Sequence, residues 1–574
     1  MNRPKRVAGL TVADVADRIG GRVAAAPAGS VRVTGVSLDS RRVQSGDLYA
    51  ALPGATVHGA SFAAQACSDG AVAVLTDPAG EQIIARDTDP WAATVPVIVA
   101  DDPRSVLGRV SADVYGRPSE RMHLVGVTGT NGKTTTAYLV ESAWRALGYV
   151  TGLVGTIETL VAGQSLRSVH TTPESPDLQG LLALMAEKRV GHVVMEVSSH
   201  ALALHRSDSV AFDTAVFTNL SQDHLDFHGT MESYFEAKAM LFTPEYAQRG
   251  VVCVDDQWGR RLAALSGIPV ITLATPAWRE PERHDHDQPE HNQPAPDQHE
   301  PDQHEGPPAG AADYRLVPDE SETGGFALVR EGRAQGPERL ELRSALPGAH
   351  NQINTALAAL VLLGSGLEAE QVRHALSVRP TVPGRMEYVH LGSSAAEPEG
   401  SPDAPLAVVD FAHTPDAIEA TLSALAPLAA GRGGPLVAVL GAGGNRDHGK
   451  RPLMGSVAAR LADVVVVTDD NPRLEDPVLI RAAVAEGARA TAQGREGEVT
   501  VHEVEGRAQA VAVALEAAGP SGVVAVLGKG HELTQIIGTT VHPFDDRAVL
   551  AEAWSSLSGA ARGEQSDITS REGR

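Results

Sequence analysis

An apolar run at residues 124–127 passes without a break into Thr128, Gly129, Thr130, Asn131, Gly132, Lys133, Thr134, Thr135 and Thr136. The run reads as a buried strand, and residues 134–144 carry a helical pattern, so the glycines occupy a tight strand-to-helix turn. Strand, turn and helix in that order commit the chain to a parallel sheet with helices on its faces. Backbone N–H groups of such a turn cradle phosphates, and the helix N-terminus adds a favourable field. Lys133 is placed to reach β- and γ-phosphates, and the hydroxyl after it to ligate Mg²⁺. The usual spacing has a glycine five residues before Gly132; this chain has Val127 there, with Gly126 and Gly129 nearby, so the loop is a variant form. A glycine turn with a chance lysine is the alternative, and the order strand, turn, lysine, hydroxyl argues against it. The stretch predicts a nucleotide-binding enzyme.

At 574 residues and 43% apolar content the chain exceeds what one core serves, and two to four domains are expected. Short β-rich runs alternate with helical patterns in three stretches. Strands are predicted at 31–36, 72–75 and 97–99, then near 192–197, 214–217 and 251–254, then at 407–411, 435–440, 464–468 and 523–527. The alternation predicts an α/β chain with parallel sheets, whose ligands sit at the carboxyl ends of the strands. The domains are expected at 1–116, 117–378 and 379–560. Residues 276–312 collapse into Pro, His, Asp, Gln and Glu, with a tandem repeat at 296–305. Such a segment buries too little apolar surface to offset its ordering entropy, so a disordered insertion is predicted. Residues 393–402 read as a shorter flexible loop and 561–574 as a disordered tail.

Lys and Arg total 48 against 72 Asp and Glu, a net charge of −24. That balance argues against a nucleic-acid or anionic-membrane partner, since both need a basic face. The only two cysteines, Cys67 and Cys253, build neither a disulfide framework nor a cysteine zinc site, which suits a reducing cytosol. No apolar leader and no window approaching a membrane span is present, so a cytoplasmic location is expected.

Two further strand ends carry chemistry. Met195, Glu196 and Val197 lead to Ser198, Ser199 and His200. A carboxylate at a strand end beside a phosphate loop is where a Mg²⁺ ligand belongs, although an ordinary polar strand end reads the same way. The next strand ends in Thr218, Asn219, Leu220, Ser221, Gln222, Asp223 and His224, and a helical pattern then carries Tyr234, Glu236 and Lys238. Two polar strand ends in succession after a phosphate loop make an active-site rim.

Residues 129–135, Glu196 to His200, Asn219 to His224 and Glu236 to Lys238 together resemble the Mur ligases of peptidoglycan synthesis. The resemblance runs through the third stretch: Pro383 to Glu387, Asp410 to Pro415, Gly441 to Asp447 and Gly528 to Glu532 follow in family order. Asp470, Asn471, Pro472 and Arg473 resemble the mark of the branch that adds diaminopimelate. The resemblance implies an N-terminal uridine-binding α/β domain, a central P-loop ATPase-like domain with a parallel sheet, and a C-terminal Rossmann-like domain. It implies an amide ligase in which ATP phosphorylates the D-glutamate γ-carboxylate of UDP-N-acetylmuramoyl-L-alanyl-D-glutamate and the amine of diaminopimelate attacks the acyl phosphate. A monomer acting on small molecules is expected.

The resemblance also assigns residues. ATP would be met by Gly129, Thr130, Asn131, Gly132, Lys133, Thr134, Thr135 and Asn351, with Arg385, Asp410 and His413 joining from the third domain. Mg²⁺ would be held by Thr134, Glu196, His224 and a CO₂-derived carbamate on Lys238. Leu38, Ser40 and the turn Ala55, Thr56 and Val57 match the uridine side, and Thr171, Thr172, Ser198 and Arg206 the muramoyl dipeptide. The turn differs in residue type from the family's usual form, and Leu204 stands where some relatives carry glutamine. Arg446, Asp470, Asn471, Pro472, Arg473, Gly528 and Glu532 match the diaminopimelate contacts. The chemistry is consistent: a distal ammonium wants a carboxylate such as Glu532, and a distal carboxylate wants a bidentate guanidinium such as Arg473. The alternatives are an L-lysine-adding ligase of the same family, a P-loop phosphotransferase that forms no amide, and a non-catalytic scaffold.

Overall fold

The run at 124–127 lies inside the strand His123–Thr128, which is almost wholly buried. A strand buried on both faces needs neighbours on both edges and helices on both sides, and it has them. The structure, a computed structural model, describes residues 3–25, 30–87, 90–168, 170–276, 312–319, 321, 324–331, 336–378, 380, 382–391, 403–495 and 497–571. Apart from its two end residues, the insertion predicted at 276–312 lies outside the described residues, as does the loop predicted at 393–402.

His123–Thr128 is central to an eleven-stranded sheet. Its seven middle strands run parallel, in the order Thr151–Val154, His192–Glu196, His123–Thr128, Phe212–Phe217, Ala247–Cys253, Val270–Ala274 and Tyr314–Pro318. Antiparallel strands extend both ends of this core. Helices Lys133–Ala146 and Ala349–Gly364 bury Trp144, Leu357 and Leu360 against one face. Helices Ser175–Glu187 and Met231–Ala239 bury Leu178, Leu182 and Phe235 against the other.

A six-stranded sheet follows, in the order Glu387–Val389, Leu406–Asp410, Val523–Leu527, Leu436–Leu440, Val464–Val467 and Thr500–Glu503. All but its first pair are parallel. The N-terminal part has a five-stranded sheet, Arg22–Ala25, Pro96–Val99, Ala73–Thr76, Asp47–Ala50 and Gly35–Ser37, parallel except for its first pair. The α/β architecture is therefore the one the sequence pattern demands.

Two details differ from expectation. The strand predicted at 31–36 breaks at Thr34, because Arg32–Val33 pairs with Leu10–Thr11 whereas Gly35–Ser37 pairs with Asp47–Ala50. The tail predicted as disordered from 561 is instead helical to residue 571, within the helix Asp546–Arg571.

Candidate active site

The carboxyl ends of the central and C-terminal sheets open on one shared cavity of about 800 Å³. This is where parallel sheets bind ligands, because their connecting turns leave crevices there. Thr130 to Thr135, Glu196 and His224 line it from the central sheet, and Arg385, Asp410 and His413 line it from the segment that follows.

The glycine turn is built as its sequence requires. Gly129 has φ +143, and a Cβ there would lie 1.9 Å from Thr218 Oγ1, so no side chain fits. The loop is tied to the next strand end: Asn131 N donates to Asn219 Oδ1 at 2.9 Å, and Thr218 Oγ1 to Asn131 O at 2.6 Å. Lys133 Nζ curls back onto the carbonyls of Gly129 (3.0 Å) and Thr130 (2.9 Å). Lys238 Nζ reaches the same Gly129 carbonyl at 2.8 Å. Burial draws the Lys133 pKa down, against the pull of Glu196 and Asp223. Burial, reinforced by Lys133, drives Lys238 well below the usual lysine range.

Glu196 is the hub of a hydroxyl network. Thr134 Oγ1 donates to its Oε2 at 2.8 Å, and Arg385 Nη2 donates to Thr134 Oγ1 at 3.3 Å. Thr156 donates twice, from its N to Oε1 at 2.8 Å and from its Oγ1 to Oε2 at 3.0 Å. Thr156 Oγ1 also lies 3.1 Å from Thr171 Oγ1, which joins the carboxylate to the position matched to the dipeptide. Thr134 and Glu196 form a hard-oxygen pair suited to Mg²⁺, which completes its shell with water and phosphate oxygens. Among the described residues no three His, Cys, Asp or Glu side chains converge into a metal site on their own. His224 lines the cavity, whereas Lys238 is buried behind its wall. Burial holds the His224 imidazole down at about 4, despite the nearby Asp223 carboxylate, so it presents a neutral nitrogen. Burial would raise Asp223, but His224, His413 and Lys450 outweigh it and hold the carboxyl at about 2.

Gly384, at φ +63, turns the chain into the third-domain residues. Arg385 is stacked over the Phe411 ring at 4.4 Å. Asp410 accepts from the backbone N of Met386 (2.6 Å) and Ala412 (2.8 Å), so its carboxylate ties down that turn as well as facing the cavity. His413 Nδ1 pairs with Phe411 O at 2.8 Å, and burial lowers its pKa.

Arg446, Asp470, Asn471, Arg473, Gly528 and Glu532 all line the same cavity. Asn471 Nδ2 donates to Glu532 Oε2 at 2.8 Å, and Arg473 Nη1 to Gly444 O at 2.9 Å. Arg473 adopts φ +53, a left-handed conformation costly for a non-glycine residue, and its backbone is pinned to Ile536 and Gly538. Arg446 lies 3.9 Å from Asp226 across the domain junction.

Not every expected residue reaches the cavity wall. Thr171 and Ser198 line it, while Thr172 sits behind, donating to Glu196 O at 2.9 Å. Arg206 pairs with Glu174 at 2.8 Å, and Glu174 also holds Arg104 at 3.1 Å. Asn351 is buried and turned inward, donating to Pro347 O at 2.7 Å; His350 and Asn354 line the cavity in its place. Pro472 and Gly129 support the wall without facing the cavity. Leu38, Ser40, Ala55, Thr56 and Val57 lie in the N-terminal part, away from it. The sequence reading assigned no role to Thr156, Asn354, Lys450 or Lys529. Lys529 stood inside a quoted motif, whereas Thr156 carried no local signal.

A phosphate loop, a carboxylate-hydroxyl pair and a cluster of charged side chains on one cavity between two α/β sheets are the parts of a nucleotide-dependent ligase. The profile of the Mur ligase middle domain matches residues 127–279. That of the Mur ligase glutamate ligase domain matches residues 384–530, and that of the Mur ligase family catalytic domain matches residues 32–115. A UDP-N-acetylmuramoyl-L-alanyl-D-glutamate–2,6-diaminopimelate ligase of Streptomyces coelicolor is 44% identical over 97% of this chain and 99% of its own. The ligase of the same name from Corynebacterium efficiens is 42% identical over 95% and 94%. A solved structure of a ligase of that name superposes with TM-score 0.57 at 27% identity, covering 92% of this chain and 96% of that one. The chain belongs to the Mur ligase family, a family of ATP-dependent amide ligases.

Proposed function

We propose that the chain joins 2,6-diaminopimelate to the D-glutamate γ-carboxylate of UDP-N-acetylmuramoyl-L-alanyl-D-glutamate at the expense of ATP. The observation that carries the reading is the single cavity on which the Lys133 loop and the Arg446, Arg473 and Glu532 cluster both open. The names of the Streptomyces and Corynebacterium relatives supply the substrates.

The reaction must bring a carboxylate against a triphosphate, then an amine against the acyl phosphate. The loop from Thr130 to Thr135 cradles the phosphates, and Lys133 and Arg385 offset the charge that gathers on the transferred group. Thr134 and Glu196 would hold Mg²⁺, which supplies Lewis-acid neutralisation of the phosphate oxygens. His224 and a carbamate on Lys238 would form the second ligand group. Support for the carbamate is the strongly lowered Lys238 pKa, since only a neutral amine adds to CO₂. Thr171, Ser198 and Arg206 would orient the dipeptide, and Leu38, Ser40 and the turn Ala55, Thr56 and Val57 the uridine. Asn351 would act through Asn354, whose Oδ1 accepts from Thr136 Oγ1 at 3.3 Å. At the other end, Arg473 and Arg446 would take the distal carboxylate of diaminopimelate, and Glu532 its ammonium.

The test is phosphate release with ATP and the UDP-muramoyl dipeptide, in the presence of diaminopimelate, L-lysine or no amine, with product masses measured. Release that needs diaminopimelate and yields its amide supports the reading. A phosphorylated product without amide identifies a phosphotransferase, preference for lysine the other amine branch, and absence of ATP turnover a scaffold.

A further inference from the structure

Lys529 is fully buried, yet its ammonium is fully engaged. It donates to Thr534 O at 2.7 Å and to Glu532 Oε2 at 3.0 Å, with Asn471 Oδ1 at 3.4 Å. Asn471 closes the triangle by donating from Nδ2 to the same Glu532 Oε2 at 2.8 Å, while its Oδ1 accepts from Ile536 N at 2.9 Å. Both bonds fall on one carboxylate oxygen. Glu532 Oε1 has no partner among the described residues, and Glu532, unlike Lys529, lines the cavity. The carboxylate that faces the ligand is thus aimed by a cation that itself lies outside the cavity wall.

We propose that Lys529 is a positioning residue for the amine substrate: by holding Oε2 of Glu532 it leaves Oε1 to meet the ammonium. This rests on the reading that the cavity binds diaminopimelate. The Glu532 side chain is 33% exposed, and a carboxylate that open needs a fixed partner to keep one direction. Diaminopimelate and lysine both offer an ammonium to that contact. The distal carboxylate that only diaminopimelate carries is left to Arg446 and Arg473, because a contact both amines share cancels from the difference between them.

The experiment compares kcat and KM for diaminopimelate and for L-lysine, with KM for ATP, in the wild type, Lys529→Met, Glu532→Gln and the double variant. In Lys529→Met the diaminopimelate KM should rise about 10-fold as Glu532 loses its aim, the size expected for one charge-assisted hydrogen bond. KM for lysine should rise by the same factor, and KM for ATP should stay put. The double variant should be no worse than Glu532→Gln, because Lys529 acts through Glu532. A rise in KM for ATP, or a double variant worse than Glu532→Gln, would reduce Lys529 to a loop support and overturn the proposal. If Lys529→Met does not fold, Lys529→Arg, which keeps the charge and moves the donors, should still raise both amine KM values and spare that for ATP; unchanged amine KM values also overturn the proposal. Wild-type enzyme that releases no phosphate in response to either amine would instead refute the ligase reading itself.

Discussion

The two ends of the cavity handle charge in opposite ways. At the phosphate end, Lys133 and Lys238 are both bonded to backbone carbonyls and share Gly129 O. At the amine end, Glu532, Asn471 and Lys529 are bonded to one another. The first arrangement rests Lys133 on main-chain dipoles within the pull of Glu196 and Asp223, and burial holds Lys238 well below the usual lysine range. The second arrangement pairs a cation with a carboxylate and fixes its direction. A site for phosphates, which arrive with several charges, gains from raw field. A site that must tell two amino acids apart gains from geometry, because undirected attraction favours every cation alike.

If that contrast holds, substitutions at the phosphate end should damage every substrate combination equally. Lys133→Ala should lower kcat by about 10³-fold, as loss of a preorganised charge at a transferring phosphoryl group does. The loss should be the same with diaminopimelate and with lysine, as read from steady-state phosphate release. Lys238→Ala should cost less, about 10²-fold, and again without regard to the amine. Added formate or acetate should return part of the activity if a carboxylate-like group is what the site lacks. Intact-protein mass on the wild type, showing or lacking one added CO₂, decides whether the carbamate forms.

Substitutions at the amine end should be selective. Arg473→Ala should reduce kcat/KM for diaminopimelate by about 10²-fold and leave the poor lysine rate nearly unchanged, since a bidentate grip exists for only one of them. Arg473→Lys should restore a fraction, because an ammonium lacks the planar fork. Equal loss for both amines would mean that Arg473, pinned through its backbone to Ile536 and Gly538, serves the loop rather than the ligand.

How much of this was legible depended on whether neighbours in space were neighbours in sequence. The loop from Gly129 to Thr135 is contiguous, so its strand, turn and helix could be read directly. Glu196 could be placed at a strand end, and the structure puts it there. Its partner Thr156 could not be found, because their contact depends on register. Met195 pairs with Val154, which carries the chain just beyond, at Gly155 and Thr156, alongside Glu196. Asn351 was matched by family likeness, but the local pattern could not show that its amide turns inward to Pro347 while Asn354 faces out. Lys529 was visible as a letter and invisible as a buried charge, since burial of a cation follows from three acceptors spread over residues 471–534.

The contrast also predicts which end yields first to acid. His531, next to Glu532 in the chain and against Phe411, faces Arg385, Arg547 and Lys529; burial together with these cations holds its imidazole down at about 3 from 6.5. His228, which pairs with Ser199 Oγ at 2.9 Å in the central domain, is held at about 4 by burial and by His200 and Lys238. A folded pKa below the unfolded one means the unfolded chain takes the proton first. This stability is therefore complete above pH 6.5 and is lost as pH falls toward 3 or 4. Tm should fall steadily from pH 7 downward. His531→Asn should flatten that slope more than His228→Asn, because its depression is larger. The reverse ranking, by calorimetry at a series of pH values, would place the more acid-labile contacts at the phosphate end.

The smallest expected effect comes from a region belonging to neither end. Residues 277–311 join two neighbouring strands of the central sheet, Val270–Ala274 and Tyr314–Pro318. Parallel neighbours normally require a long crossover, because the chain must return to the start of the next strand. Here Leu273 pairs with Tyr314, so the second strand begins beside the end of the first and the return path is short. A short Gly/Ser linker in place of residues 280–310 can therefore bridge the gap without disturbing the register. The variant should keep kcat/KM for ATP and for diaminopimelate within about twofold, since loop length alone changes closure entropy only slowly. A selective rise in KM for one substrate would show that the segment reaches that end of the cavity. A fall in Tm with both KM values unchanged would place its contribution in the sheet edge formed by Tyr314–Pro318, Gly325–Arg330 and Arg339–Arg343.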